Sequence, residues 1–420
     1  MASAYTSASL EYGSSTNIRV VELLQNTSRD PITCKLHVVA LDDQIGYTAL
    51  SYVWGDPSIR KEIILDGQPF YVRENLWNFL HEARQSVFGG LLWIDAISID
   101  QANVRERNHQ VAMMGAIYAN ATLVVVWLGL ETGVIARAIR ELSDIRHNNR
   151  EPADWLYFSQ SIKTICVAEY WTRVWIVQEF VLARKVIVWC GMERLRDDCL
   201  YWLYHLQLDP SLMPRSSPSN AYRDVMAHTL HSPALDMIAC KVSRSKVPWA
   251  MGFTALFEMS ERLNCLDGRD RVYALLSLVS PEEREQLSII PDYSKPASEF
   301  FEELYTALRR RSTSRYAFQG RGLQYWLKKF QKMLDLGDDH EVVRRVMAEC
   351  DHGKQKVDIK QVLQKHWDDP WTPIAYIEIR ADDEPIAEIP EALLRSRRQS
   401  SIQDLLNRLA RSDSLVDQRT

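Results

Sequence analysis

Apolar residues in the first half of the chain follow two alternating patterns. Short continuous runs, typical of strands that are covered on both faces, occupy residues 47–54, 91–97, 123–128 and 185–189. Longer segments with apolar residues at helical spacing lie at 75–84, at 106–120 and around 170–183. Strands that alternate with helices predict an α/β fold built on a parallel-dominated sheet.

Two further segments add strands to this plan. Asp66-Gly67 separates the β-rich residues 61–65 from residues 70–72, and Asp-Gly between two such runs is a strong signal for a hairpin. We interpret this hairpin as an insertion into the alternating layer. Alternating apolar residues at 18–23 and 36–40 predict two more short strands nearer the N-terminus.

Changes in composition divide the chain into smaller units. Residues 213–219 are rich in Pro and Ser and mark a boundary. After it the pattern is helical, and it becomes strongly charged from residue 323 onward. We therefore predict a disordered tail at 1–17, an α/β domain at 18–212, a helical region at 220–312, a charged helical region at 323–409 and a disordered tail at 410–420.

Charge and cysteine content exclude several classes of protein. The 50 basic and 55 acidic residues give a net charge of −5, so there is no electrostatic basis for nucleic-acid binding. No apolar run approaches the roughly 20 residues of a membrane-spanning helix, and the N-terminus lacks the pattern of a secretory signal. The seven cysteines are scattered without a C-x-x-C pair, which favours reduced thiols in a cytoplasmic protein and predicts no metal site.

Candidate chemistry is concentrated in three segments. The motifs of phosphate loops, dinucleotide-binding folds, zinc peptidases and serine hydrolases are absent, so we expect no bound cofactor. Instead, tryptophans stand beside charged residues at the ends of predicted strands or helices, where α/β sheets build sites. The candidates are Trp54 and Asp56 in the first segment, Asp95, Asp100 and Arg107 in the second, and Arg173, Trp175 and Glu179 in the third.

Two interpretations of these residues are open. A carboxylate such as Glu179 on a mostly apolar helix is costly unless it is paired or used. It either forms an ion pair with Arg173 or Arg107 that holds two helices together, or it belongs to a functional site. The structural alternatives for the other residues are core packing for Trp54 and Trp175, and a strand-end cap or an ion pair with Arg105 or Arg107 for Asp95.

Three blocks of the sequence resemble, in order, the three sequence blocks of the fungal heterokaryon-incompatibility (HET) domain. They are YTALSYVWGD, LWIDAISIDQANVRERNHQVAMMGAIYANATLVVVWLG and YWTRVWIVQEFVLA. The later stretch CLDGRDRVYALLSL resembles the segment that commonly follows the domain in this family. Ser98 and Asp100 depart from the pattern, because members of the family usually carry Cys and Asn there.

The resemblance implies a fungal intracellular protein of allorecognition and programmed cell death. The HET domain is taken to be a divergent relative of the TIR domain, a flavodoxin-like α/β layer. Many TIR domains cleave NAD with a glutamate in a W-C-x-x-E pattern, which the stretch from Trp175 to Glu179 resembles. The resemblance thus implies that Glu179 is catalytic and that NAD is a substrate. We expect substrate binding from Trp54, Asp56, Asp95, Asp100, Arg107, Arg173 and Trp175.

The sequence is compatible with three functions. NAD cleavage passes through an oxocarbenium-like state and releases neutral nicotinamide, so one carboxylate that stabilises positive charge is sufficient. Alternatively, the domain is a non-enzymatic module that assembles with copies of itself or with a HET- or TIR-like partner, and Glu179 only braces it. A third interpretation is a stress- or pathogen-responsive protein. The sequence does not identify the protein that triggers it.

Overall fold

In a computed structural model, the chain forms two compact units, Met1–Pro296 and Ala297–Thr420. The structure describes residues 5–12, 15–25, 30–43, 45–86, 88–130, 133–148, 150, 152, 154–212, 220–229, 232–249, 251–311, 322–352, 380–381 and 384–385. The predicted boundary at 213–219 and the predicted tail at 410–420 lie outside these residues, as does most of the predicted charged region beyond residue 352.

The first unit is built around one sheet of nine strands. In chain order they are β1 (Asn17–Leu23), β2 (Thr33–Ala40), β3 (Tyr47–Tyr52), β4 (Arg60–Leu65), β5 (Gln68–Arg73), β6 (Leu91–Trp93), β7 (Leu123–Trp127), β8 (Val186–Cys190) and β9 (Glu193–Arg196). Across the sheet their order is β5-β4-β2-β1-β6-β3-β7-β8-β9.

The sheet is mixed, so the predicted parallel-dominated sheet describes only its centre. Strands β6, β3, β7 and β8 are mutually parallel, as the alternation of apolar runs with helical segments predicted. The flanks are largely antiparallel, because β1 pairs antiparallel with both β2 and β6, β4 with β5, and β8 with β9. The hairpin β4–β5 therefore extends the sheet instead of interrupting it.

Helices connect strands of the first unit and continue the chain after β9. In the first unit they are α1 (Glu74–Gln85), α2 (Asp95–Ser98), α3 (Val104–Asn120), α4 (Gly133–Ser143), α5 (Trp155–Cys166), α6 (Ile176–Val181), α7 (Asp197–Leu208), α8 (Ala221–Thr229), α9 (Pro233–Lys246), α10 (Phe253–Ser260), α11 (Asp270–Tyr273) and α12 (Pro281–Leu287). Short helical turns lie at Leu41–Asp43, Asp144–Asn148, Glu169–Thr172 and Pro210–Leu212.

The second unit contains three described helices, α13 (Ala297–Arg311), α14 (Leu323–Met333) and α15 (Glu341–His352), with a pair of two-residue strands, β10 (Arg380–Ala381) and β11 (Glu384–Pro385). Trp326, Leu327 and Phe330 are apolar residues at helical spacing in α14, and all three are buried. In the described part of the chain, no helix combines the length and the apolar character that crossing a bilayer requires.

The predicted strand at 91–97 is wrong in its second half. Strand β6 ends at Trp93, and the next residues turn into the short helix α2. The Oδ1 atom of Asp95 accepts a hydrogen bond from the backbone N–H of Ala96 at 2.7 Å, and the N–H of Ser98 donates to the carbonyl of Ile94 at 2.7 Å. These local bonds outcompete the extended conformation that the apolar run suggested.

The two faces of the central strands carry different chemistry. Leu50 and Tyr52 of β3 belong to the apolar core that also contains Leu76 and Phe79 of α1. Ser51 points to the other face, because successive side chains of a strand alternate. There it meets α6, so the sheet is covered on both sides, and a hydroxyl lies opposite a helix that carries a carboxylate.

Part of the N-terminal segment that we expected to be disordered is packed. Ala8 and Leu10 are buried, and the ring of Tyr5 lies 4.6 Å below the guanidinium of Arg19. Arg19 is itself buried and forms an ion pair with Glu106 of α3. A buried arginine must use its remaining N–H groups, and its Nε donates to the carbonyl of Ala8 at 2.5 Å.

Candidate functional site

The central strands bring two of the three sequence blocks to one edge of the sheet. Trp54 follows the carboxyl end of β3, and Asp95 follows the carboxyl end of the neighbouring parallel strand β6. Side chains from α6, the helix of the third block, meet β3 near the same end. Ligand sites in open α/β sheets form at this edge.

Glu179 is the centre of a buried hydrogen-bonded group. Its Oε2 atom lies 2.5 Å from the hydroxyl oxygen of Ser51, which donates to it. The same hydroxyl is 2.7 Å from the phenol oxygen of Tyr170, just before α6. Ser51, Glu179 and Tyr170 are each at most 1% exposed. The carboxylate is therefore held by protein donors and not by solvent.

Arg173 supplies positive charge to this group. Its Nη1 atom lies 4.0 Å from Oε2 of Glu179, which confirms the ion pair that the sequence suggested. The guanidinium also donates a hydrogen bond to the backbone carbonyl of Tyr52, the last residue of β3. The side chain of Arg173 thus links the third block to the end of the first. The spacing of the blocks along the chain does not reveal this contact.

Asp95 also interacts electrostatically with Arg173. Its Oδ2 atom accepts a hydrogen bond from the indole Nε1 of Trp54 at 2.7 Å, and its carboxyl group also interacts with the phenol of Tyr52. The guanidinium of Arg73 lies 5.0 Å from the Trp54 ring centre. Trp54 is half-buried, and its indole N–H fixes the carboxyl group of Asp95.

The two buried carboxyl groups share one arginine. Burial raises the pKa of Glu179 to about 7, although Arg173 and the Ser51 hydroxyl oppose the rise, and Asp95 adds to it. Burial also raises the pKa of Asp95, again against Arg173. The cluster therefore binds a proton near neutral pH, which is the property of a group suited to proton transfer or to charge-dependent binding.

The remaining candidates from the first two blocks lie apart from this cluster. Asp56 is exposed and accepts hydrogen bonds from the N–H and hydroxyl of Ser58, so it stabilises its own turn. Asp100 accepts from the backbone N–H of Ala102 at 3.1 Å. Arg107 lies 4.6 Å over the ring of Tyr293. A direct part for these three in binding a substrate stays a prediction.

Trp175 contacts a segment that follows the three blocks. Its side chain forms a hydrogen bond with the carboxyl group of Asp270. Asp270 also accepts from the phenol of Tyr293 at 2.6 Å, and burial raises its pKa to about 6. Trp175 and Arg107, which the sequence presented as one set with Glu179, therefore belong to a second group around Asp270 and Tyr293.

Residues beyond the third block hold α6 in place. The carbonyl of Asn264 accepts from the N–H of Val174 at 3.0 Å. At the other end of α6, the ammonium of Lys241 donates to the carbonyl of Phe180 at 3.0 Å. Positive charge at a helix C-terminus is favourable. Helices outside the three blocks thus position the segment that carries Glu179.

Sequence reasoning missed Ser51 and Tyr170. Neither residue stands among the sequence candidates, although Ser51 is buried and donates to Glu179. The available signal was its place on the strand, since Leu50 and Tyr52 face the apolar core and Ser51 must face the opposite helix layer. Tyr170 carried no such signal, because it lies among other aromatic residues.

Comparisons with known proteins agree with the resemblance in the sequence. Residues 47–179 match the family model described as Heterokaryon incompatibility protein (HET). The Heterokaryon incompatibility protein 6, OR allele, of Neurospora crassa is 24% identical over 352 residues, which cover 67% of this chain and 49% of that protein. No solved structure is significantly similar to the chain. The family match and this likeness together support the assignment of residues 47–179 to the HET domain.

Proposed function

We propose that the chain is an effector of heterokaryon incompatibility and programmed cell death that cleaves NAD, with Glu179 as the catalytic carboxylate. The observation that carries this proposal is the buried carboxyl group of Glu179, held by Ser51 and Arg173 beside the carboxyl ends of parallel strands. The incompatibility role is supported by the HET match and by the likeness to the Neurospora heterokaryon incompatibility protein.

The order of the parallel strands supports a relationship to TIR domains. If β3 is taken as the first strand of the central layer, the order β6-β3-β7-β8 is 2-1-3-4. That is the order of flavodoxin-like sheets, which bind ligands beside the first strand where the direction of winding reverses. Glu179 lies in the last helix between β7 and β8, four residues after Trp175. The spacing matches the tryptophan-to-glutamate separation of TIR enzymes.

The cluster has the groups that cleavage of the nicotinamide–ribose bond needs. An ionised Glu179 stabilises positive charge on the ribose as the neutral nicotinamide departs. Trp54 presents a half-buried ring suited to stacking on a flat base, and Arg173 offers a cation for an anionic part of the substrate. With a pKa of about 7, Glu179 is ionised in a fraction of molecules that increases with pH across the neutral range.

The proposal is tested by incubating the purified chain with NAD under crowding that promotes assembly, and by measuring nicotinamide release. Glu179→Gln keeps the shape and removes the charge, so the rate should fall by about 10²–10³-fold, the usual effect of losing one electrostatic stabiliser. Glu283→Gln is the matched control, because Glu283 is equally buried and binds the backbone N–H of Phe253 instead. A wild-type chain that releases no nicotinamide contradicts the proposal.

A second candidate function is a non-enzymatic signalling module that works by self-association or by binding a HET- or TIR-like partner. The observation in its favour is the burial of Glu179, whose Oε2 already accepts from Ser51 and faces Arg173. A carboxylate so enclosed acts as a brace. On this alternative, Glu179→Gln lowers thermal stability yet leaves toxicity in fungal cells unchanged, and wild-type toxicity proceeds without loss of NAD.

A further inference from the structure

A third group of polar side chains lies apart from both clusters described above. His147, Asp198 and Cys199 each offer one ligand atom, and these atoms lie within 4.8 Å of one another. His147 comes from the turn at Asp144–Asn148, whereas Asp198 and Cys199 come from the first turn of α7. Their separation along the chain explains why the sequence offered no metal motif. The fold brings them together.

The distances within this group suit a small divalent cation. The Nε2 atom of His147 and the Oδ2 atom of Asp198 are 2.9 Å apart. Zinc binds histidine nitrogen, carboxylate oxygen and cysteine sulfur at about 2.0–2.3 Å, so neighbouring ligand atoms of a tetrahedral site lie about 3–4 Å apart. The 2.9 Å separation is that of a hydrogen bond, so the ligand atoms of His147 and Asp198 must move slightly apart when an ion enters.

We propose that His147, Asp198 and Cys199 bind one zinc ion, with a fourth position open to water. The three ligand types are those zinc uses most often. His147 and Asp198 are 31% and 30% exposed at their side chains, so solvent reaches the centre of the group. Cys199 is fully buried and forms the inner wall.

Binding requires a proton to leave Cys199. Burial, with a contribution from Asp198, raises the pKa of the thiol to about 12, while Ser143 and two arginines oppose that rise. The zinc–sulfur bond therefore forms as the S–H bond breaks and the proton passes to buffer. The thiolate and the Asp198 carboxylate then offset the two charges of the ion.

Two nearby arginines influence how strongly the proposed site should bind a cation. Arg146 and Arg196 both act on Asp198, and the Nε of Arg196 lies 3.4 Å from its Oδ1. Their positive charge repels a cation and should weaken binding. Arg196 is 70% exposed at its side chain, so it can turn into solvent when the ion enters.

The test titrates the full-length chain, stripped with a chelator and kept reduced, with Zn²⁺ by calorimetry. Co²⁺ replaces it for absorbance, since a thiolate ligand gives a sulfur-to-cobalt charge-transfer band. We expect one ion per chain and that band. His147→Ala and Cys199→Ser should each weaken Zn²⁺ binding by more than the roughly 10–100-fold that loss of an outer partner costs. His147→Ala alters a partly exposed side chain, so it keeps the test valid if Cys199→Ser fails to fold.

Two matched controls separate this site from scattered binding. His37→Ala removes a histidine that pairs with Glu22 at 2.8 Å and lies in no cluster of three metal-ligating side chains among the described residues. Cys265→Ser removes a partly buried free cysteine elsewhere. Both variants should bind Zn²⁺ as the wild type does. Absence of binding at micromolar Zn²⁺, absence of the cobalt band, or equal affinity in His147→Ala and the wild type would each overturn the proposal.

Discussion

Ser51 and Glu179 are 128 positions apart in the sequence, yet the hydroxyl of one donates to the carboxylate of the other at 2.5 Å. This bond joins the first of the three sequence blocks to the third and crosses from the sheet to the helix layer. It also satisfies a carboxylate that is 1% exposed. The pair is therefore the most direct link between the fold and the candidate chemistry.

The first prediction concerns this bond. Ser51→Ala removes the donor and leaves Oε2 of Glu179 facing only Arg173 and a methyl group. Loss of one partner of a buried polar group costs about 1–3 kcal/mol, so the free energy of unfolding should fall by that amount in urea denaturation. The pKa of Glu179 should move further up, because the Ser51 hydroxyl opposes its rise. Ser51→Thr, which keeps the hydroxyl, should retain more of the stability.

The second prediction concerns the pH dependence of stability. The pKa of Glu179 is raised from its usual 4.5 to about 7 in the folded chain. Its contribution to stability is therefore fully present below about pH 4.5 and is lost as the pH rises through 7, by on the order of 3 kcal/mol. Glu179→Gln does not titrate, so its unfolding free energy should fall less than that of the wild type between about pH 5 and pH 8.

Asp270 titrates in the same direction and is present in both proteins, so its contribution cancels in this comparison. Asp95 acts on Glu179, so its titration responds to the substitution and adds to the difference. The measurement is a series of urea or thermal unfolding curves at matched ionic strength. Parallel pH profiles for Glu179→Gln and the wild type would show that Glu179 stays ionised throughout, and that burial does not dominate its environment.

A third prediction comes from close packing between α3 and the segment after the three blocks. A Cβ atom added at Gly115 would overlap the side chain of Ser277, whose hydroxyl donates to Gln178 at 2.7 Å. Alanine gains about 1 kcal/mol of helix propensity over glycine, but overpacking of a tight contact costs about 1–3 kcal/mol or more. Gly115→Ala should therefore lower the melting temperature, with the clash outweighing the propensity.

Gly133→Ala is the control for that substitution, because nothing lies within 4 Å of an added Cβ atom at the start of α4. It should leave the melting temperature unchanged or slightly higher. If Gly115→Ala is as stable as Gly133→Ala, the segment around Ser277 gives way easily, and its contact with Gln178 does little to hold α6.

The central layer was predictable from sequence because its strands are fully buried. Runs such as 123–128 are apolar throughout, and their mutual parallel pairing follows from the helices between them. In the flanks, the hairpin β4–β5 was predictable from Asp66-Gly67. The antiparallel pairing of β1 with β6 was not, since the partner of β1 depends on which edge remains open after the centre forms. The end of β6 was not predictable, because the Asp95 carboxylate accepts a hydrogen bond from the backbone N–H of Ala96. An apolar pattern does not show such a local hydrogen bond.

The candidate site was predictable only in part, and for a similar reason. Charged residues in apolar surroundings pointed to Glu179, Arg173 and Asp95, which the fold does bring together. Trp175 and Arg107 were assigned to the same set because they lie in the Trp-containing segments at the ends of predicted strands and helices. Their partners, Asp270 and Tyr293, come from a later segment. Contacts over such separations depend on tertiary packing, which composition and spacing do not encode.

The last prediction measures how Arg173 and Glu179 depend on each other. Arg173→Leu leaves Glu179 and Asp95 without their shared cation, and breaking a buried pair by removing one partner costs about 3–5 kcal/mol. Glu179→Leu leaves Arg173 facing Asp95 alone. Because Asp95 still supplies a counter-charge, the second variant should be less destabilised than the first. The double variant should be more stable than the sum of the two single losses predicts.

The measurement is a double-mutant cycle from urea unfolding of the wild type, both single variants and the double variant. A coupling energy of about 1–3 kcal/mol is expected for groups in one network. Arg105→Leu with Glu179→Leu is the matched control cycle, because Arg105 is exposed and lies over Tyr12 on another face. Its coupling should be within error of zero. Equal coupling in the two cycles would mean that the 4.0 Å contact between Arg173 and Glu179 contributes nothing specific, and that α6 is held by its apolar packing alone.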